Sequence, residues 1–287
     1  MTTTASRGVA TRVRNPLRRA QITIWLALVV LTAGAWALLI RHPAGTDQPA
    51  GMTPTMGMGA LPFLGVWLAM VVAMMFPAAA PMILMFARIA ANRGSSGRPS
   101  APTAFFVAGY LLVWSVIGVA AFLLAAGGEQ LAGRVDVVAD HAGRIGALLI
   151  VVAGAYQFSA LKDRCLTGCR SPLAFLSRHW REGARGAIAM GAHHGVICAG
   201  CCWALMAIMF PLGMMNVVAL GAVTAFLYAE KALPAGRILR FAAGVVLVAL
   251  GLAALADPGL LPGGVAQTCD GAVHLAGTPM HMHQPGC

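Results

Sequence analysis

Charge is what this chain has least of. Asp, Glu, Lys and Arg make up 10% of its 287 residues, and only nine residues are acidic, whereas a soluble domain carries about 25% charged residues. That shortage excludes an ordinary soluble protein. Also missing is a nucleotide-binding loop of the Gly-x-x-x-x-Gly-Lys-Ser/Thr type, which argues against a pump driven by ATP bound to this chain alone. No convincing small-x-small cleavage site follows the first apolar run, which is longer than the ~7 to 15 residues of a signal peptide's apolar segment. The sequence therefore predicts a retained anchor.

Apolar residues are plentiful instead. They make up 59% of the chain and gather into runs of about 18 to 25, each long enough to cross a hydrocarbon core of about 30 Å as a helix. The fold class predicted is all-α, a polytopic transmembrane bundle of about seven spans, placed at 21–40, 61–83, 103–126, 142–161, 187–210, 213–230 and 240–256. Residues 1–20 form a basic cytoplasmic N-terminus, 21–256 the helical domain, and 257–287 an extracytoplasmic tail expected to be disordered.

The net charge of +11 is read from where the cations lie. With the N-terminus inside, 17 of the 20 Lys and Arg residues fall on the inner side, and only Arg41, Arg134 and Arg144 fall outside. That bias orients the bundle. It also assigns the basic charge to topology and contact with an anionic lipid bilayer, so no nucleic acid partner is expected. Two short matches, Met75-Phe76-Pro77 with Met209-Phe210-Pro211 and the stretch from Phe106 with that from Phe241, hint at a repeat. The topology inverts one pair and not the other, so chance similarity between apolar helices explains them better.

Soft metal ligands concentrate in the fifth span. At helical periodicity Met190, His194, Cys198, Cys201 and Met209 share one stripe, flanked by His193 and Cys202. Imidazole, thiolate and thioether together suit copper(I), with zinc as an alternative, and do not suit magnesium or calcium. A histidine at membrane depth is costly unless it is paired or functional. The competing reading makes the cysteines small packing residues among Gly191, Gly195 and Gly200. One helix cannot enclose an ion, because His194 and Cys201 lie about 10 Å apart along the axis. Met70 and Met74 in the second span, near Pro77 and Pro81, are the donors expected from a second helix, although methionine is also a common core filler.

Cys165 and Cys169 fall in a segment read as an inside loop just past the fourth span. The cations Lys162, Arg164 and Arg170 around them favour thiolates, and the pair is expected to form a metal station. Outside, His42, Met52, Met56 and Met58 follow the first span, and the tail carries Met280, His281, Met282 and His283 together with Cys269 and Cys287. His281 and His283 are the tail's candidate metal ligands, in a composition that also occurs in arbitrary termini. Glu129, Asp136 and Asp140 beside His141 read equally well as a carboxylate site or a solvated loop.

Three stretches, Trp67 to Met82, Lys162 to Pro172, and Gly191 to Trp203 with the Met-rich run to Asn216 and Glu230-Lys231, resemble the bacterial predicted metal-binding integral membrane proteins, a domain family of unassigned function. The resemblance covers about residues 61–255 and not the His/Met tail. It implies metal binding in a multi-pass protein of the bacterial inner membrane. The function expected is copper(I) transport, or delivery to an exported metalloprotein or a metallochaperone, by a chain that is not itself an enzyme. The alternatives are a thiol oxidoreductase exchanging among Cys198, Cys201, Cys202, Cys165 and Cys169, and a haem-binding subunit of a larger membrane complex using His193 or His194.

Overall fold

The computed structural model describes residues 4–41, 54–55, 57–93, 100–135, 137–138, 141–213 and 216–257, with side chains from Arg18 in the first helix and from Pro102 in the third. Among the described residues the regular structure is helical. In chain order the helices are α1 (Thr4–Arg41), α2 (Ala60–Arg93), α3 (Ser100–Ala132), α4 (Ala142–Tyr156), α5 (Ala160–Arg170), α6 (Pro172–His179), α7 (Gly183–Ala207), α8 (Met209–Leu212), α9 (Val217–Ala232) and α10 (Gly236–Ala256).

Five stretches are long and apolar enough to cross a membrane: Arg18–Arg41, Ala60–Arg93, Pro102–Ala132, Gly183–Leu212 and Gly236–Ala256. A sixth is reached if α4 and α5, bent by 65° at their junction, count as one broken span. The sequence predicts about seven, and the differences lie at two places. The span expected at 142–161 breaks after Tyr156, where Ser159 caps a new helix by accepting from the Lys162 backbone N–H at 3.1 Å. The one expected at 213–230 becomes α9, whose 16 residues reach about 24 Å. Gly213, at φ +88°, breaks the chain before it, and the Asn216 side chain starts the new helix by accepting from the Val218 and Ala219 N–H groups.

Small residues set the helix crossings. A Cβ on Gly191 of α7 would overlap the Phe106 carbonyl oxygen of α3, and one on Gly109 of α3 would overlap the Ile188 carbonyl oxygen of α7. Gly195, four residues on, has the Tyr110 carbonyl oxygen 3.2 Å from where its Cβ would stand. Such close backbone contact is what glycines four apart permit where apolar burial gives little drive. Gly154 of α4 and Gly251 of α10 join those two helices in the same way.

α2 packs against α1, α3 and α9, while α7 lies mainly on α3 and α5. Pro77 lacks the N–H that the Ala73 carbonyl would normally accept within α2. The indole N–H of Trp36 on α1 donates to that carbonyl instead, at 3.2 Å. Satisfying a freed backbone group by a neighbouring helix is what makes a proline tolerable at membrane depth.

Candidate metal centre

The segment carrying Cys165 and Cys169 is helical and buried on one side, not a solvated loop. Lys162 and Leu166 face inward at 0% and 3% exposure. Four polar links tie α5 to α9 and α10. Lys162 Nζ lies 2.9 Å from one Glu230 carboxylate oxygen and 3.1 Å from the other, with both side chains buried. The Asp163 carboxylate meets Arg240 at 2.9 Å and the exposed Arg237 at 3.7 Å. Arg170 donates to the Leu233 carbonyl at 2.6 Å. Charged groups in an apolar bundle persist when they are paired, and these pairs hold α5 against α9 and α10, while its other side packs on α7.

The result divides the two cysteines of α5. Cys165 faces Gly200, where a Cβ would come within 2.6 Å of its sulfur. Cys169, one turn on, has its Sγ 3.7 Å from that of Cys201. The sulfurs of Cys169, Cys198 and Cys201 all lie within 4.8 Å of one another. A metal–thiolate bond of about 2.3 Å puts three ligand sulfurs about 4 Å apart around a trigonal ion, so this spacing fits one. Cys202 stands beside the group, its sulfur 3.2 Å from that of Cys201.

Two side chains complete the surroundings. The Tyr110 hydroxyl of α3, 1% exposed, lies 3.3 Å from Cys198 Sγ. Lys231 of α9 donates to the same sulfur at 3.4 Å. The cation beside the thiols is thus Lys231, while Lys162 and Arg170, expected there from sequence, are bonded to Glu230 and Leu233. A cavity of about 930 Å³ lined by α1, α2, α5 and α9 reaches Cys169 and Lys231, and Trp25, Pro77 and Pro81 also line it.

The stripe read from the sequence of α7 is buried as a unit: Met190, His194, Cys198 and Cys201, with Met209 beyond the helix end, are each at most 2% exposed. His194 sits one turn before Cys198 among the rings of Phe106, Tyr110 and Phe175, at centroid distances of 6.1, 5.8 and 5.6 Å. Its Nδ1 has no hydrogen-bond partner. His193 is exposed and turns away, towards His179. Met70 and Met74 are buried in α2, which is not the principal neighbour of α7. The close second helix is α5. Met58 is half-buried against the core, and Glu129 accepts from both the N–H and the hydroxyl of Thr55. His42, Met52, Met56, Asp136 and Asp140, and the tail with Cys269, Met280, His281, Met282, His283 and Cys287, lie outside the described residues.

Sequence reasoning did not assign Tyr110 and Lys231 to the site. The usable signals are a tyrosine inside an otherwise apolar run and, for Lys231, its place in the Glu230-Lys231 pair that carries the family resemblance.

No curated protein and no solved structure matches this chain. A family model described as PpoB2, copper chaperone, matches residues 64–254 and so takes in all five described cysteines, Tyr110 and Lys231. Nothing in that description or in the sulfur geometry favours the zinc or haem alternatives. The match spans well over half of the sequence, and the chain belongs to this copper chaperone family.

Proposed function

We propose that the protein is a membrane-embedded copper(I) chaperone that holds its cargo on Cys169, Cys198 and Cys201 and hands it to an exported metalloprotein or a second chaperone. The convergence of three sulfurs from two helices carries this reading. Thiolates are the soft ligands that select copper(I). Copper(I) on two thiolates has one negative charge, and the Lys231 ammonium beside Cys198 neutralises it. A third sulfur within reach then permits exchange of one ligand at a time, so the ion is never released into an apolar interior. The cavity that touches Cys169 and Lys231 is the path by which a donor or acceptor ligand reaches the centre. His194 and Cys202 are the reserve donors beside it, and Met70, Met74, His281 and His283 are auxiliary donors at other points of the route.

The orientation proposed puts the N-terminus and the basic segments inside. A reporter active only outside the membrane is then active when fused after Ala256 and inactive when fused near Arg178; the reverse pattern overturns the orientation. For the metal, Cys198→Ser and Cys198→Ala each lose most of the bound copper, since neither supplies a thiolate. Copper near the parent level in both variants contradicts the proposal.

A second reading draws on the 3.7 Å between the Cys169 and Cys201 sulfurs, which suits dithiol–disulfide exchange. Purified protein that holds no copper but cycles reversibly between two thiols and a disulfide at these positions favours that reading.

A further inference from the structure

On the opposite side of His194 from the cysteines, a second cavity of about 300 Å³ lies between the end of α6 and α7, with Arg178, His179, Arg181, Met190 and His193 among its lining residues. The His179 and His193 rings meet edge-on, with centroids 4.5 Å apart and planes at 90°. Nδ1 of His179 lies 3.0 Å from the Phe175 carbonyl oxygen. A carbonyl only accepts, so in the neutral ring the proton is on Nδ1 and Nε2 is the nitrogen that offers a lone pair. Anchoring one imidazole nitrogen on a backbone carbonyl is how metal-ligating histidines are oriented. His193 is exposed, and a turn of its ring out of the edge-on contact would let it share an ion with His179. Met190, buried at 1% exposure, adds a thioether, whose sulfur also accepts from the Arg181 N–H at 3.3 Å.

We infer that His179 and His193, backed by the Met190 sulfur, form a second copper(I) site, weaker than the thiolate centre and connected to it. Imidazole and thioether both suit copper. All three donors are neutral and two guanidiniums line the cavity, so a divalent ion meets twice the repulsion that a monovalent one does. That repulsion, together with the soft thioether, favours copper(I) over zinc or copper(II). Without a thiolate the site binds less tightly than three cysteines, which makes it a receiving site and gives transfer its direction. His193 precedes Cys198 by five residues, a rise of about 7.5 Å along α7. Between them His194 offers its unpartnered Nδ1 as the stepping donor. The inference rests on copper(I) as the cargo of the thiolate centre, and its test separates the two claims.

The full chain in lipid nanodiscs, reduced and free of oxygen, is titrated with copper(I) held by a chromogenic copper(I) chelator. Four forms are compared: the parent, the triple variant C169S/C198S/C201S, the double variant H179A/H193A, and the combination. The parent takes up a tight and a weak equivalent, and the triple variant only the weak one. The double variant keeps the tight equivalent, loses the weak one, and loads the tight one more slowly than the parent. The combination lacks the weak equivalent that the triple variant keeps. Copper absorption spectroscopy of the triple variant shows two imidazoles and one sulfur, and needs no change at either histidine. A triple variant without copper beside a parent with the tight equivalent overturns the second site and spares the thiolate centre. A parent that binds none overturns both. A weak equivalent undiminished in the combination, or an oxygen-only shell in the triple variant, also overturns the second site.

Discussion

The apolar stretches Arg18–Arg41 of α1 and Gly183–Leu212, which contains α7, are comparably apolar, yet 11% of the first is buried inside the protein at its most apolar part, against 56% of the second. Large aliphatic residues cover α1, and Trp25, Leu26, Val30 and Leu31 are about half exposed or more. Gly, Ala and Cys dominate α7, and it is the one pressed between α3 and α5. Apolarity therefore says that a helix belongs in a lipid-like environment, whereas small residues say that it belongs in the middle of a bundle. The thiols lie on the second kind of helix because only there does a neighbouring backbone come close enough to bring another sulfur within reach.

The sharpest way to break this contrast is to add the same side chain to a glycine of each helix. Gly191→Val forces α7 off the α3 backbone and should abolish recovery of folded protein, measured as the monodisperse fraction after detergent extraction. Gly34→Val of α1, which has no neighbour within 4 Å of its would-be Cβ, should leave that fraction unchanged. Equal losses would mean that the α3–α7 crossing is not what holds the site.

Removing half of the buried Lys162–Glu230 pair comes next. Glu230→Ala leaves an ammonium unpaired at 0% exposure and should cost about 3–5 kcal/mol, read as a lower unfolding midpoint together with loss of copper, because α5 and Cys169 are no longer held. Substituting the exposed Asp163 partner Arg237 by Ala should cost less than about 1 kcal/mol.

Lys231→Met should act on affinity rather than on folding, weakening copper(I) binding by about tenfold or more with little change in the unfolding midpoint. A variant that keeps parent affinity would remove Lys231 from the centre. A further, local effect is expected at Pro77 of α2. Trp36→Phe takes the donor from the Ala73 carbonyl and should cost about 1–3 kcal/mol if the carbonyl stays dry, less if water replaces the indole. Thermal unfolding in the same nanodiscs checks it.

Much of this organisation is legible in the residues. The long apolar runs at α1, α2, α3, α7 and α10 are plain, and the buried stripe of α7 follows from its periodicity. The break at Gln157–Ser159 is not legible, since the apolar run continues through it and a single serine cap is a weak local signal. α5 reads as a loop because Lys162, Asp163, Arg164 and Arg170 look solvated; three of them are bonded to Glu230, Arg240 and Leu233, some seventy residues away. For the same reason Cys169 reads as the partner of Cys165, its neighbour in sequence, when the structure pairs it with Cys201. Local pattern reveals which face of a helix carries the chemistry, and the second helix that completes it is fixed by contacts that no local pattern holds.

The central claim is that thiols from α5 and α7 hold one ion between them. Copper absorption spectroscopy of the reduced, copper(I)-loaded full chain, compared with Cys169→Ser, tests it most directly. The parent should show a sulfur shell at about 2.3 Å containing the Cys169 ligand, and the variant should lose one sulfur from that shell while α7 and its other cysteines remain in place. An unchanged sulfur count in Cys169→Ser, or a parent shell of nitrogen and oxygen alone, would contradict it.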